Sequence, residues 1–155
     1  IDSMNIQILY FDVKHAVETH DWIIGHSGGM HGMYPDGADK LDSVLDHIQN
    51  DLYYPTFEDK LTHLVYSINK LHAFCDGNKR SSLTLGAYFL ELNGRNDCVF
   101  KFVIEMENIV VWLAEGKISK ELLTKLITSI TENEDEYSED LKYELICAIS
   151  DGLFE

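Results

Sequence analysis

One segment of the chain, SLTLGAYFLELNG at residues 82–94, is apolar on almost every side when it is drawn as a helix. A helix of this kind is stable only when other elements cover most of its surface. In three earlier segments, residues recur at helical spacing and would share one face of a helix. These residues are Val13, Val17, His20 and Ile24 in the first segment; Leu41, Val44, Leu45, Ile48 and Leu52 in the second; and Leu61, Leu64, Val65, Ile68 and Leu71 in the third. The sequence therefore predicts an all-α fold, a helical bundle around a buried central helix.

Local signals mark where several helices begin and end. Asp12 is placed to cap the first helix, and Thr56 with Asp59 resembles a capping box. Asn93-Gly94 supplies a stop for the central helix. Further helices are predicted over residues 105–115, 119–131 and 141–153.

Other segments are predicted to be irregular or extended. Residues 25–37, GHSGGMHGMYPDG, contain five of the ten glycines and are predicted to form a loop. Residues 98–104, CVFKFVI, favour a strand or an extended arm. Residues 132–140, ENEDEYSED, contain six acids and are typical of a solvated linker.

Charge and composition exclude several classes of protein. The formal net charge is −15, from 12 basic and 27 acidic residues, which argues against a nucleic-acid partner but not against a nucleotide ligand. Cys75, Cys98 and Cys147 form no CxxC pair, so neither a zinc site nor a disulfide framework is predicted. No apolar run is long enough to span a membrane, and the first residues lack the pattern of a signal peptide, so we expect a cytoplasmic protein.

The segment LHAFCDGNKRSS, residues 71–82, concentrates polar groups between two predicted helices. A helix N-terminus exposes backbone N–H groups and attracts anions, and Gly77 allows the backbone to approach one closely. Lys79 and Arg80 lie in the first turn, where cations are unfavourable unless an anion faces them. These residues indicate a phosphate-binding site.

Neighbouring residues supply the remaining parts of a phosphorus-transfer site. Asp76 offers hard oxygen ligands for Mg²⁺, and His72 is a plausible general base. Asn78 either orders the turn or donates a hydrogen bond to the ligand. Phe74 is predicted to be a buried anchor that aims the loop.

The pattern HxFx[D/E]GNxR is present at His72, Phe74, Asp76, Gly77, Asn78 and Arg80. In these residues the chain resembles the Fic/Doc family, and the resemblance reaches from about Phe11 to Thr131. It implies a Fic-like bundle with a short β-hairpin flap, a Fic/Doc domain over residues 1–131, and an extension over residues 132–155 made of an acidic linker and a helix.

Two positions resemble one branch of that family. Adenylylating members usually carry a second glycine where this chain has Lys79, and a second arginine where it has Leu83. Both departures are similar to the Doc (death-on-curing) toxins, which transfer the γ-phosphate of ATP to a threonine of elongation factor Tu. The resemblance implies a toxin kinase that uses ATP and Mg²⁺; an adenylyltransferase and a Fic-fold binding protein with little activity remain alternatives.

The resemblance also implies roles for single residues. His72 would deprotonate the attacking hydroxyl, Asp76 would hold Mg²⁺, and phosphates would be held by Gly77, Asn78, Lys79 and Arg80.

Two further predictions concern segments outside this loop. Leu52, Tyr53 and Tyr54 would form a flap that docks the protein substrate. Glu132, within TSITEN at residues 128–133, is either an inhibitory glutamate or merely a helix end running into the linker. An antitoxin partner is a further possibility.

Overall fold

The computed structural model describes residues 7–30 and 32–150, and within them the fold is all-α. Seven helices follow one another without a strand or sheet in this part of the chain. They are α1 (Val13–Ser27), α2 (Gly37–His47), α3 (Phe57–Leu71), α4 (Asn78–Leu92), α5 (Asn96–Ala114), α6 (Lys120–Thr131) and α7 (Glu139–Ile149). The predicted fold class is confirmed.

Helix α4 lies at the centre of the bundle. It packs against α1, α3 and α5, while α6 covers α3 and α5 from another side. Leu85, Phe89 and Leu90 of α4 are fully buried. The apolar surface of residues 82–94 is thus covered by neighbouring helices, as predicted.

The helix starts that were predicted from local signals are present. The side chain of Asp12 accepts a hydrogen bond from the backbone N–H of His15, 2.9 Å away. Thr56 and Asp59 form a reciprocal capping box at the start of α3. Capping groups of this type act over only three residues, which is why the sequence alone revealed them.

The prediction of a strand or extended arm over residues 98–104 is wrong, because these residues belong to the 19-residue helix α5. Cys98, Phe102 and Met106 recur at helical spacing and are fully buried. When only the local sequence is considered, the aromatic and β-branched residues of this run are compatible with a strand and with a helix. Burial of one helical face against α4 decides between them.

The predicted β-hairpin at the segment between α2 and α3 does not form. Residues 51–54 make turns, held by the side-chain oxygen of Asn50, which accepts from the N–H groups of Leu52 and Tyr53. Beneath them the buried ammonium of Lys60 donates to the backbone oxygen of Ile48 and to Asp51. These hydrogen bonds pair the polar groups of the segment in a turn conformation. The segment therefore does not need a strand partner.

The C-terminal segment packs against the rest of the bundle, mainly through contacts between α7 and α6. Helix α7 packs on α6, where Leu141 is buried and Lys125 lies 2.9 Å from Glu144. Tyr137, in the acidic segment, donates a 2.7 Å hydrogen bond to Glu105 of α5. The division between residues 131 and 132 stays a prediction, and the predicted helix end at Leu153 lies outside the described residues.

None of the described helices combines the length and the apolar character needed to cross a membrane.

Candidate active site

The polar segment forms a tight loop between α3 and α4. Helix α3 ends at Leu71, and His72 caps it with a left-handed backbone (φ 50°) and an exposed side chain. The ammonium of Lys40 donates to the backbone oxygen of Leu71, 3.1 Å away. A cation at this end of a helix stabilises the carbonyl groups left unpaired there.

Phe74 anchors the loop to the body of the protein. Its side chain is fully buried. Its backbone forms an isolated antiparallel bridge with Met33 of the glycine-rich loop, flanked by hydrogen bonds from Tyr34 N–H to the Ala73 oxygen and from Cys75 N–H to the Gly32 oxygen. The glycine-rich segment therefore forms one wall of the site.

His20 of α1 is a positioning residue that the sequence pattern did not reveal. It is fully buried, and its ring stacks on Phe74 with centroids 3.7 Å apart and planes 5° apart. Its Nε2 atom lies 2.7 Å from the backbone oxygen of Asp76. Because a carbonyl oxygen only accepts hydrogen bonds, Nε2 must carry the proton. The one available signal was a histidine on an otherwise apolar helix face.

Asn78 closes the loop on itself. Its side-chain N–H donates to the backbone oxygen of Phe74 at 2.9 Å, and its side-chain oxygen accepts from the Phe74 N–H at 3.2 Å. Of the two roles open to Asn78, ordering the turn is therefore the one that its side chain performs in this structure.

The carboxylate of Asp76 is exposed and held by backbone groups on both oxygens. One oxygen accepts from Met30 N–H at 3.0 Å and the other from Gly77 N–H at 2.8 Å. These two hydrogen bonds lower the pKa of the Asp76 carboxyl below its usual value, and Lys79 adds to the effect. A Cβ atom at Gly29 would lie 2.7 Å from one carboxylate oxygen, so a larger residue there would displace the carboxylate from this position. The Asp76 carboxylate is therefore charged and held in a fixed orientation, and its oxygens are available as ligands for a cation.

The N-terminus of α4 is open to an anion. Gly77 caps it in a left-handed conformation and provides no side-chain hydrogen bond. The backbone N–H groups of Asn78, Lys79 and Arg80 have no acceptor among the described residues. Lys79 and Arg80 are exposed and form no salt bridge with a described residue. The first turn of α4 thus combines N–H groups that are available to an anion, the positive end of the helix dipole and two cationic side chains.

This N-terminus faces a cleft of about 770 Å³ between α1, α4 and α5. The size is in the range of sites that hold a small organic molecule. The loop contributes the Asp76 carboxylate and its cations. The rest of the wall combines apolar side chains, among them Ile24, Leu83, Val103 and Val111, with the polar side chains of Ser27, Thr84, Glu107 and Asn108. His72 is outside the set of residues that line the cleft and lies at the C-terminal end of α3.

Two predicted site elements lie elsewhere. Residues 52–54 precede α3, whose 15 residues span about 22 Å, so they are at the opposite end of that helix from His72. Glu132 caps the end of α6, where Thr131 contacts Arg95 beyond the far end of α4. The structure brings neither the predicted flap nor the predicted inhibitory glutamate to the loop.

The loop is suited to bind Mg²⁺ only together with a ligand that carries phosphate groups. No group of three His, Cys, Asp or Glu side chains that would hold a metal occurs within residues 7–30 and 32–150. Mg²⁺ is commonly bound by one or two carboxylates together with substrate phosphates. Each oxygen of Asp76 accepts a single N–H group, which leaves lone pairs for such an ion.

Comparison with known proteins was made for the whole chain. A search of curated proteins found no match. The model of the Fic/DOC family matches residues 10–90, which extend from just before α1 to near the end of α4 and include the whole loop. This match covers more than half of the 155 residues, and the chain belongs to the Fic/DOC family.

Proposed function

We propose that this protein is a Doc-like transferase, which moves the γ-phosphate of ATP to a serine or threonine hydroxyl of another protein. The observation that carries the proposal is the open N-terminus of α4. Three N–H groups without an acceptor in the described part of the chain, together with Lys79 and Arg80, lie at the same cleft as the carboxylate of Asp76, whose pKa is lowered. This arrangement suits a polyphosphate with a bound divalent cation.

The side chains beside the loop favour γ-phosphate transfer over AMP transfer. Leu83 lines the cleft one turn after Lys79, at the position where adenylylating relatives carry a second arginine. An aliphatic side chain cannot pair with distal phosphates. The cations are instead concentrated at the first turn of α4, which favours placing the reacting phosphate there.

In the proposed reaction His72 accepts the proton of the attacking hydroxyl. The hydroxyl oxygen bonds to the γ-phosphorus, and the bond from that phosphorus to the β–γ bridging oxygen breaks, so ADP leaves. The N–H groups of α4 with Lys79 and Arg80 hold the phosphate oxygens. His72 is exposed at the end of α3, so the protein substrate would reach it from solvent.

Asp76 would hold the metal ion. When bound, Mg²⁺ would neutralise charge on the phosphates that contact the first turn of α4. The hydrogen bonds from Met30 and Gly77 keep the Asp76 carboxylate charged and in a fixed orientation without such an ion.

By its resemblance to Doc, the proposed target is elongation factor Tu, and arrest of translation is the expected effect. An antitoxin would be the corresponding regulator. The acidic surface, with a net charge of −15, favours a basic contact segment on either partner.

The experiment that tests the proposal uses the full chain, Mg²⁺ and purified elongation factor Tu, with ATP labelled at the γ- or the α-phosphate. We expect label from the γ-phosphate only, lost in His72→Ala and retained in His47→Ala, a matched exposed histidine on α2. Label from the α-phosphate would contradict the proposal and establish AMP transfer. Binding of ATP without any labelling of this factor or of a whole bacterial lysate would indicate a Fic-fold binding protein.

A further inference from the structure

His72, the proposed general base, has a backbone conformation that residues other than glycine rarely adopt. Its φ is 50° and its ψ is 52°, and within the described residues Asn133 is the other non-glycine residue with a positive φ. Residues in this region cluster at functional sites, and they persist only where the surrounding structure holds them. The groups that hold the two neighbours of His72 are therefore relevant to the reaction.

The carbonyl group before His72 is held by a lysine of α2. The ammonium of Lys40 donates a hydrogen bond to the Leu71 oxygen, 3.1 Å away. It also lies 3.3 Å from the carboxylate of Asp36, and 36% of its side chain is exposed. A cationic donor is favourable at the last carbonyl groups of a helix, because these carry a partial negative charge. Lys40 therefore holds the peptide group that joins Leu71 to His72.

The carbonyl group of Ala73, the residue after His72, is held by the turn that precedes α2. Its oxygen accepts a hydrogen bond from Tyr34 N–H at 3.1 Å. Gly37 packs directly on this group, because a Cβ atom at Gly37 would lie 2.3 Å from the oxygen and 3.1 Å from the carbonyl carbon. A side chain at Gly37 would therefore have to displace the backbone of Ala73, which is buried.

The segment that makes these contacts has a defined backbone geometry of its own. Gly37 N–H donates to the Tyr34 oxygen at 2.8 Å, and Asp36 has φ −99° and ψ 7°. These features are typical of a type I β-turn, and Pro35 occupies the position that proline favours in such a turn. Lys40 follows in the first turn of α2. One short segment thus contacts the residues on both sides of the proposed base.

We propose that Lys40 and Gly37 are positioning residues of the transfer reaction, which hold the two carbonyl groups beside His72 and thereby the orientation of its imidazole. This role rests on the proposed function, in which His72 is the general base. A base acts only within hydrogen-bond distance of the proton that it accepts, so a change of its backbone conformation alters the rate of the chemical step. Neither Lys40 nor Gly37 lines the cleft at the N-terminus of α4, so nucleotide binding should not depend on them.

The first test is steady-state kinetics of the full chain with Mg²⁺, labelled ATP and purified elongation factor Tu. Lys40→Met keeps a long side chain but removes its charge and its N–H donors. We expect kcat to fall about tenfold, while the KM for ATP stays within about twofold of the native value. Lys40→Arg retains the charge and the donors, so it should keep most of the native kcat.

Two control variants separate the carbonyl contact from other effects of charge. Asp36→Asn removes the ion pair of Lys40 but leaves its hydrogen bond to the Leu71 oxygen, and the Asp36 side chain makes no capping hydrogen bond to α2. Lys14→Met is the matched control, because Lys14 lies 4.0 Å from Glu18 in a similar ion pair on α1. Both variants should keep the native kcat.

The second test is an NMR measurement that requires no turnover. The ¹³Cα chemical shift of His72 and its HN–Hα coupling both depend on φ, and both should change in Lys40→Met but not in Lys14→Met. Gly37→Ala should produce a larger change, because its methyl group would displace the carbonyl group after His72. Gly25→Ala is the control, since a Cβ atom there would meet no atom within 4 Å.

Several outcomes would overturn the proposal. They are a native kcat or native His72 signals in Lys40→Met, equal losses of kcat in Lys40→Met and Lys40→Arg, and a raised KM for ATP at an unchanged kcat. If Gly37→Ala does not fold, the partly exposed Lys40 decides the proposal alone. If the native protein transfers no group, the proposed function is wrong, and the NMR comparison still decides whether Lys40 and Gly37 hold His72 in its conformation.

Discussion

The Nε2 atom of His20 donates a hydrogen bond to the backbone oxygen of Asp76, 2.7 Å away, although the two residues are 56 positions apart in the chain. This contact joins α1 to the loop whose carboxylate and N–H groups face the cleft. The same imidazole stacks on Phe74, so one side chain holds the loop at two points.

Replacing His20 by Phe should loosen the loop while preserving the bundle. Phenylalanine retains the stacking on Phe74 but leaves the Asp76 oxygen without its donor, and loss of this partly buried hydrogen bond costs about 1 kcal/mol. We expect faster hydrogen exchange at residues 76–80 and weaker binding of Mg²⁺·ATP by calorimetry. His15→Phe is the control, because His15 stacks on Tyr88 from the same helix without contacting the loop. Equal exchange rates in the two variants would contradict the role assigned to His20.

Gly77→Ala should destabilise the protein more than the same change at Gly94. Both glycines are left-handed, with φ of 79° and 77°, and a side chain in that region costs about 1–2 kcal/mol. A Cβ atom at Gly77 would also lie 3.0 Å from Cδ1 of Ile24, whereas one at Gly94 would meet no atom within 4 Å.

Urea denaturation of the two glycine variants measures the difference, and calorimetry measures their affinity for ATP. We expect only Gly77→Ala to weaken nucleotide binding, since Gly94 lies at the far end of α4. Equal losses of stability would show that the close approach of Gly77 to Ile24 is without consequence.

Asp76→Asn should remove the part of ATP affinity that depends on Mg²⁺. The amide loses the charge and offers one acceptor oxygen where the carboxylate accepts from both Met30 and Gly77. Calorimetric titrations with ATP, with and without Mg²⁺, should differ about tenfold or more in the native protein and little in the variant. Asp42→Asn, an exposed change on α2, is the control. A variant that keeps the full Mg²⁺ effect would exclude Asp76 as the ligand.

The stability of the protein should depend on pH through His63. Burial of its ring lowers the pKa of His63 from 6.5 to about 4, and the charges of Lys120 and His47 add to the effect. Between pH 6.5 and about 4 the unfolded chain therefore binds a proton that the folded chain does not. The free energy of unfolding should fall as pH decreases through this range, and the contribution of His63 should be constant above it.

Urea denaturation at several pH values checks this prediction. In His63→Gln the dependence on pH between 6.5 and 4 should be shallower than in the native protein, because the neutral amide does not titrate. His26→Gln, at the exposed end of α1, should retain the native slope. Parallel slopes in all three proteins would mean that His63 takes up its proton equally well in the folded state.

The sequence by itself determined the family, the fold class and most helix boundaries. The residues that carry this information act over short distances. Asp12 bonds three residues ahead, Thr56 and Asp59 bond to each other, and His72 to Arg80 form one continuous motif. Such signals need no knowledge of how the helices pack.

The tertiary structure decided what lies beside the motif. Only packing shows that His20 and the glycine-rich segment at Met30 support the loop, and that Glu132 lies at another end of the bundle. Packing likewise explains why residues 98–104 belong to α5. An aromatic and β-branched run is compatible with a strand or a helix, and burial of one helical face decides between them. These decisions depend on contacts between residues that are distant in sequence, and local pattern contains no information about which of those contacts forms.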